Sequence, residues 1–354
     1  MPVAYVRSWK GVPTLFIDGE PTAPLIHTIA VTNPPEKSYL ADIGTGNVHL
    51  YRFYYRLMSE GWPRPGQQPR YPSLDKAMAN IRDVDPNAWI LPHVVVDPPL
   101  WWETEHPDEL TIYADEVGDR EALDRFCNLQ YIDKIEDRLY IKKERQSFAS
   151  EVWRKEATDV LEGFLDHVAK GPQGDRVVGY QVGAGWGTEW IYWGTFDNRF
   201  GDYSPHTAVA FRMWLRDQYN NDVTSLRHNW KDAEVDFHSA QIPSKEQRLQ
   251  TDLYGFRDPS LSKQVIDYYR FSSQFMADRL LYFAEFIKQR TRQMKIVGAF
   301  YGYLSYGGMF PYVLQHSGHR ALERILHSPH IDFLASPIAY NDRGVGGEGA
   351  KSLH

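Results

Sequence analysis

The stretch Val177–Gly194, VVGYQVGAGWGTEWIYWG, holds the residues best suited to chemistry. A short apolar run of the kind that forms a buried strand ends in a Gly-rich turn, and the turn presents Glu189 among aromatic side chains. Stripping water from a carboxyl disfavours its charged form and raises its pKa, as a general acid working near neutral pH requires. Gly183, Gly185 and Gly187 give the backbone freedom to aim that side chain into a pocket. The alternative is an ordinary loop glutamate, solvated or paired with an arginine. Trp186 and Trp190 frame the same turn.

Other polar and aromatic residues lie near the ends of apolar runs. His93 precedes Asp97-Pro98-Pro99-Leu100-Trp101-Trp102 and is a candidate to bond ligand hydroxyls, with a satisfied core histidine as the alternative. Trp101 and Trp102 are candidates for a stacking platform, or else loop anchors. Tyr301 and Tyr303, of which one points most directly into the interior, and Ser336 and Tyr340 lie near later strand ends. Plain packing is the alternative for each tyrosine.

Other chemistries find no support. The first strand reads His27-Thr28-Ile29 rather than His-X-His, no His-Glu-X-X-His occurs, and Cys127 is the sole cysteine, so no metal site is expected. There is no Gly-X-Ser-X-Gly for a serine hydrolase. The Gly-rich GVGGEGA at 344–350 precedes no helix and makes a poor phosphate loop.

Composition narrows the setting. Hydrophobic residues make 42% and charged residues 24%, an ordinary globular balance, but aromatics reach 14%, which suits a site that stacks flat, hydroxylated ligands. A net charge of -7 argues against nucleic acid as a partner. No signal-like segment opens the chain and no stretch approaches the ~20 apolar residues of a membrane span, so a cytoplasmic protein without membrane contact is expected.

The elements that must position these residues alternate in type. Residues 1–23 read as an N-terminal hairpin or cap, with turns at Lys10-Gly11 and Asp18-Gly19. Buried-type strands follow at Pro24–Val31, Val48–Tyr54, Trp89–Val96, Val177–Val182, Ile296–Tyr303 and Ile331–Tyr340. Between them, Trp153, Ala157, Leu161, Phe164 and Val168 recur at helical spacing. Ser204-Pro205 caps a helix carrying Phe211, Leu215 and Tyr219, and Asp258-Pro259 opens a longer one with a face from Val265 to Ile287. Strand–helix alternation means a parallel sheet, and its length favours a TIM-type (β/α)8 barrel over 24–354. A doubly wound nucleotide fold would want a Gly-rich turn where Thr32-Asn33-Pro34-Pro35 stands. Two long insertions, 97–147 and 183–260, leave strand ends on the face where barrels build active sites, and they are expected to meet there.

The segment FRMWLRDQYNNDVTSLRHNW (211–230), with DYYRF (267–271) and GYQVGAGWGTEW, resembles the corresponding parts of family 42 glycoside hydrolases, the β-galactosidase type. The resemblance is remote and runs from about residue 24 to 340, with most of its weight in 177–275. It implies a (β/α)8 barrel, a carbohydrate substrate, no cofactor and a retaining mechanism with two glutamates, of which Glu189 would be the acid/base. The family has Asn directly before that glutamate, where this chain has Thr188, so another side chain such as Gln181 must hold the sugar hydroxyl.

The second glutamate of the family ends strand 7, whereas six strands are read here, and residues 341–354 are too few for another strand–helix–strand unit. The expectation is a barrel truncated at its C-terminus with its nucleophile unidentified; otherwise Asp342 or Glu348 supplies the second carboxylate. An open barrel exposes sheet edges, so a homo-oligomer or partner chain is expected to cover them. A non-catalytic carbohydrate-binding barrel is the competing reading.

Overall fold

The computed structural model describes residues 1–29, 44–114, 145–196, 199–252, 256–304 and 315–336. Tyr340, Asp342, Glu348 and the middle of the first insertion lie outside the described residues. Three short strands open the chain, β1 (Ala4–Trp9), β2 (Val12–Ile17) and β3 (Glu20–Thr22), paired antiparallel through turns at Lys10-Gly11 and Asp18-Gly19. Both glycines take positive φ (83° and 88°), the reason these turns close so tightly.

Six strands form the main sheet: β4 (Ile26–Ile29), β5 (Leu50–Arg56), β6 (Trp89–Val95), β7 (Gly179–Gly183), β8 (Ile296–Phe300) and β9 (Phe333–Ala335). They are hydrogen-bonded in chain order and every neighbouring pair is parallel. The result is a curled, incomplete barrel in which β4 and β9 do not pair with each other among the described residues. All six expected strands are present among the described residues; β9 covers only Phe333–Ala335 of the expected Ile331–Tyr340, whose end lies outside them.

Helices α1 (Leu57–Glu60) and α2 (Pro72–Val84) follow β5, while α3 (Leu100–Glu105) and α4 (Glu151–Lys170) follow β6. After β7 come α5 (Pro205–Gln218), α6 (Val223–Trp230), α7 (Lys245–Leu249) and α8 (Lys263–Arg290), and α9 (Leu322–Leu326) precedes β9. Capping sets several starts. Ser150 accepts from the Trp153 N–H at 2.9 Å, and Ser204 accepts from Thr207 with Pro205 at the first helical position. α8 begins later than Asp258-Pro259 suggests, because Asp258 first closes a turn whose carbonyl accepts from Leu261 and Ser262.

Strand alternation divides the core. Tyr51, Phe53, Tyr55, Ile90, Val94, Tyr180, Val182, Val297 and Ala299 pack outward against Leu161 and Phe164 of α4 and Leu280 and Phe283 of α8. Leu91, Val178 and Ile296 join Ala4, Leu15 and Ile17, so the N-terminal sheet packs against the barrel strands. The second insertion builds its own cluster, with Phe211, Leu215 and Leu226 against Tyr268 and Phe271 of α8.

Candidate active site

The turn after β7 is held from several sides. The Gly185 N–H donates to both Asp97 oxygens at 3.0 and 3.2 Å, and Gln146 Nε2 donates to Asp97 at 2.5 Å. Burial raises the Asp97 pKa to about 6 against these donors and Arg145. Thr188 and Trp190, on either side of Glu189, take positive φ of 66° and 57°, conformations that are strained for side chains other than glycine. Trp190 is anchored by its N–H to the Ala184 carbonyl at 2.7 Å and by Nε1 to the Val182 carbonyl at 2.9 Å. Strain held in place by its surroundings is frequent at functional sites.

Glu189 is half-buried overall, but its carboxyl is enclosed by protein, and burial pushes its pKa up to about 8. Two groups oppose that shift: the Arg52 guanidinium by its charge, and Tyr303 by a hydrogen bond. No other described carboxyl is among the groups that act on Glu189. The Glu189 backbone is fixed as well. His319, fully buried, accepts the Tyr303 N–H on Nδ1 at 3.2 Å and meets the Glu189 carbonyl from Nε2 at 2.9 Å, so its proton sits on Nε2. One imidazole therefore ties the glutamate to the tyrosine that bonds its carboxyl.

Arg52 lies inside the barrel, 5% exposed, and donates to Gln181 Oε1 at 2.6 Å and to the Tyr54 hydroxyl at 2.9 Å. Its guanidinium stands over the rings of Tyr54 and Phe300 at 4.9 and 4.8 Å. His93 packs between the same two rings, at 4.5 and 5.5 Å. Burial, with Arg52 and Arg56, holds its pKa well below the usual histidine value, so it is neutral. An added Cβ at Gly183 would run into the His93 ring and lie 2.6 Å from the Thr188 carbonyl, so glycine is needed for the close approach of turn and histidine.

The other sequence-selected residues divide between the site and the packing. Gln181 faces Arg52 in the barrel interior. Trp186, half-buried, stacks on Phe196 at 3.8 Å and packs with Phe300 and Tyr303 near Glu189. Trp190 and Trp102 are both fully buried, and Trp102 Nε1 donates to Glu156 at 2.6 Å while its ring stacks on His106. Trp101 lines a separate cleft of about 550 Å³ with Trp62, Arg64 and Glu105, which none of the residues around Glu189 lines among those described. Tyr301 turns to the helix layer, where its hydroxyl donates to the Gly318 carbonyl at 2.8 Å. Gly302, at φ 91°, breaks the alternation and returns Tyr303 to the site. Tyr340 lies outside the described residues.

The sequence patterns do not single out Arg52, Tyr54 or His319. A lone arginine inside the apolar run LYRFYYR was the available signal for Arg52; nothing around His319 marks it locally. The two insertions meet where they are described: the Tyr203 N–H donates to the Ile112 carbonyl at 2.8 Å, and Ala114 to Phe200 at 2.9 Å.

An enclosed carboxyl beyond the fourth strand of a parallel barrel, set among a guanidinium, a tyrosine and aromatic rings, is an arrangement suited to sugar chemistry. The sequence profile of glycoside hydrolase family 42, described as beta-galactosidase, matches residues 63–312, more than half of the chain. The chain belongs to this family. No curated protein matches it in sequence. The catalytic domain of β-amylase from Paenibacillus polymyxa is similar in fold, with a TM-score of 0.62 at 12% identity, covering 87% of this chain and 76% of that one. The β-galactosidase of Bacillus circulans sp. alkalophilus gives 0.53 at 13% identity over 88% of this chain, and that of Rahnella sp. R3 gives 0.53 at 12% over 87%. The chain spans only 40% and 37% of those two β-galactosidases. At such identities the structural likeness concerns the fold. Among the described residues, no helix of this glycoside hydrolase domain is long and apolar enough to cross a membrane.

Proposed function

We propose that the chain is a retaining exo-glycosidase of β-galactosidase type acting on small glycosides, with Glu189 as general acid and base. The carrying observation is the enclosed Glu189 carboxyl with its pKa raised to about 8. Protonated at neutral pH, it gives its proton to the departing glycosidic oxygen. Arg52 and Tyr303 favour the charged form that results, so the same group then takes a proton from the attacking water. A retaining mechanism needs a second carboxylate ~5–5.5 Å away to attack the anomeric carbon. Asp342 and Glu348 are candidates that lie outside the described residues. Trp186, His93 and Gln181 line the sugar pocket in this reading.

The second reading, a carbohydrate-binding barrel without turnover, draws on the lack of another described carboxyl acting on Glu189. A panel of chromogenic and unactivated glycosides separates the two. Turnover that falls ~10²–10⁴-fold in Glu189→Gln for poor leaving groups, with azide partly restoring it for aryl glycosides, supports the enzyme. Sugar binding with no turnover of any glycoside supports the second reading, and parental cleavage of unactivated disaccharides by Glu189→Gln makes Glu189 a loop acid.

A further inference from the structure

A second cleft, of about 790 Å³, lies between the N-terminal half of α8 and the segment 320–327. Arg257, Arg270, Arg320 and Arg324 line it, and the only acid lining it among the described residues is Glu323. Arg324 is paired with Asp278 at 2.5 Å, but Arg257, Arg270 and Arg320 have no carboxylate partner among the described residues. The arrangement is more than a surface accumulation. The guanidiniums of Arg248, Arg257 and Arg320 stand over the single Tyr269 ring at 5.3, 5.3 and 5.4 Å. Arg248, 2% exposed, is held beneath the cleft by the Gly201 carbonyl and the Tyr203 and Tyr269 hydroxyls, with no ion pair to an acid among the described residues. Burial first, and then the same three arginines, hold the His316 pKa well below the usual histidine value.

Three like charges converging on one ring repel one another, and the ring faces offset that only in part. In a chain of net charge -7, such a set is complementary to an oxyanion, which a guanidinium fork binds by paired hydrogen bonds. The rest of the wall suits a hydroxylated body: Ser273 and Gln274 on α8, and Phe256, 77% exposed, at the rim. The volume is that of a small-ligand site. Glu189 is not among its described lining residues, so it is distinct from the candidate active site.

We propose that this cleft binds a saccharide carrying an oxyanion, either a phosphate ester or a uronate carboxylate, with Arg257, Arg320 and Arg270 as its anion ligands. Calorimetric titration of the full chain with glucose 6-phosphate, galacturonate, glucose, galactose and inorganic phosphate tests this at low and high salt. One acidic sugar binds at least tenfold more tightly than its neutral counterpart, its affinity falls with salt, and the stronger of the two identifies the anion. Arg257→Gln and Arg320→Gln each weaken binding about tenfold to a hundredfold, while Glu189→Gln leaves it unchanged. Because the readout is binding rather than turnover, it stands apart from the glycosidase reading. Should either variant fail to fold, Arg270→Gln, at an exposed position, takes its place. Equal affinity for acidic and neutral sugars, inorganic phosphate binding as well as the sugar phosphate, or undiminished binding in folded variants overturns the proposal.

Discussion

Replacing Tyr303 with Phe removes a single hydroxyl and with it a hydrogen bond that favours the charged form of Glu189. A hydrogen bond to a charged group is worth about 1.5–3 kcal/mol, and one pKa unit is about 1.4 kcal/mol, so the loss raises the carboxyl by roughly one to two units. Glu189 is half-buried rather than wholly so, and water entering the cleft replaces part of the lost donor, which favours the lower end. The expected result is a move from about 8 to roughly 9. Carbon-13 NMR titration of glutamate-labelled protein measures it, with Glu189→Gln assigning the resonance, and needs no turnover. If the chain is a retaining glycosidase, the carboxylate fraction at neutral pH falls about tenfold, slowing the water-attack step while the acid step keeps its proton. An unchanged or lowered pKa in the folded variant refutes the electrostatic account, because Tyr303 would then contribute nothing to the charged form.

Glu189→Gln also carries a stability signature: the folded pKa of about 8 lies above the ordinary 4.5, so the proton-linked stability is present in full below about 4.5 and is lost as pH rises to about 8. Urea midpoints of the parent should fall relative to the variant across that window, and a constant gap would contradict it. Trp186→Ala should weaken sugar binding several-fold by removing a half-exposed ring, whereas Trp102→Phe, which loses the bond to Glu156, should lower Tm and leave KM alone; isothermal binding and thermal melts distinguish the two, and the reverse pattern would return Trp102 to the site. Arg145→Met leaves the buried Glu103 without its partner at 2.8 Å and should cost about 3–5 kcal/mol by chemical denaturation, while the double change with Glu103→Leu should cost clearly less; equal losses would show that the pair is not what holds that corner.

The six barrel strands were legible because each is a short apolar run bounded by turn residues, and a strand covered on both faces carries that signal in its own sequence. Glu189 was legible for the same local reason: a glycine-rich turn after such a run holds an acid among aromatic residues. What surrounds its carboxyl was not. Arg52 comes from the second barrel strand, Tyr303 from beyond the fifth and His319 from the segment after it, and only the curling of the sheet brings the first two to the carboxyl and His319 to the Glu189 backbone carbonyl. The tryptophans show the same division, since composition announces aromatic rings but burial decides that Trp102 and Trp190 are anchors while Trp186 keeps an open edge. Tyr301 and Tyr303 differ through one backbone angle, the φ of 91° at Gly302, which no side-chain pattern encodes. Local sequence thus determined which segments become strands and where an acid could be presented. The partners that set its proton affinity were decided by tertiary structure, because electrostatic and hydrogen-bond effects depend on distances in space between segments far apart in the chain.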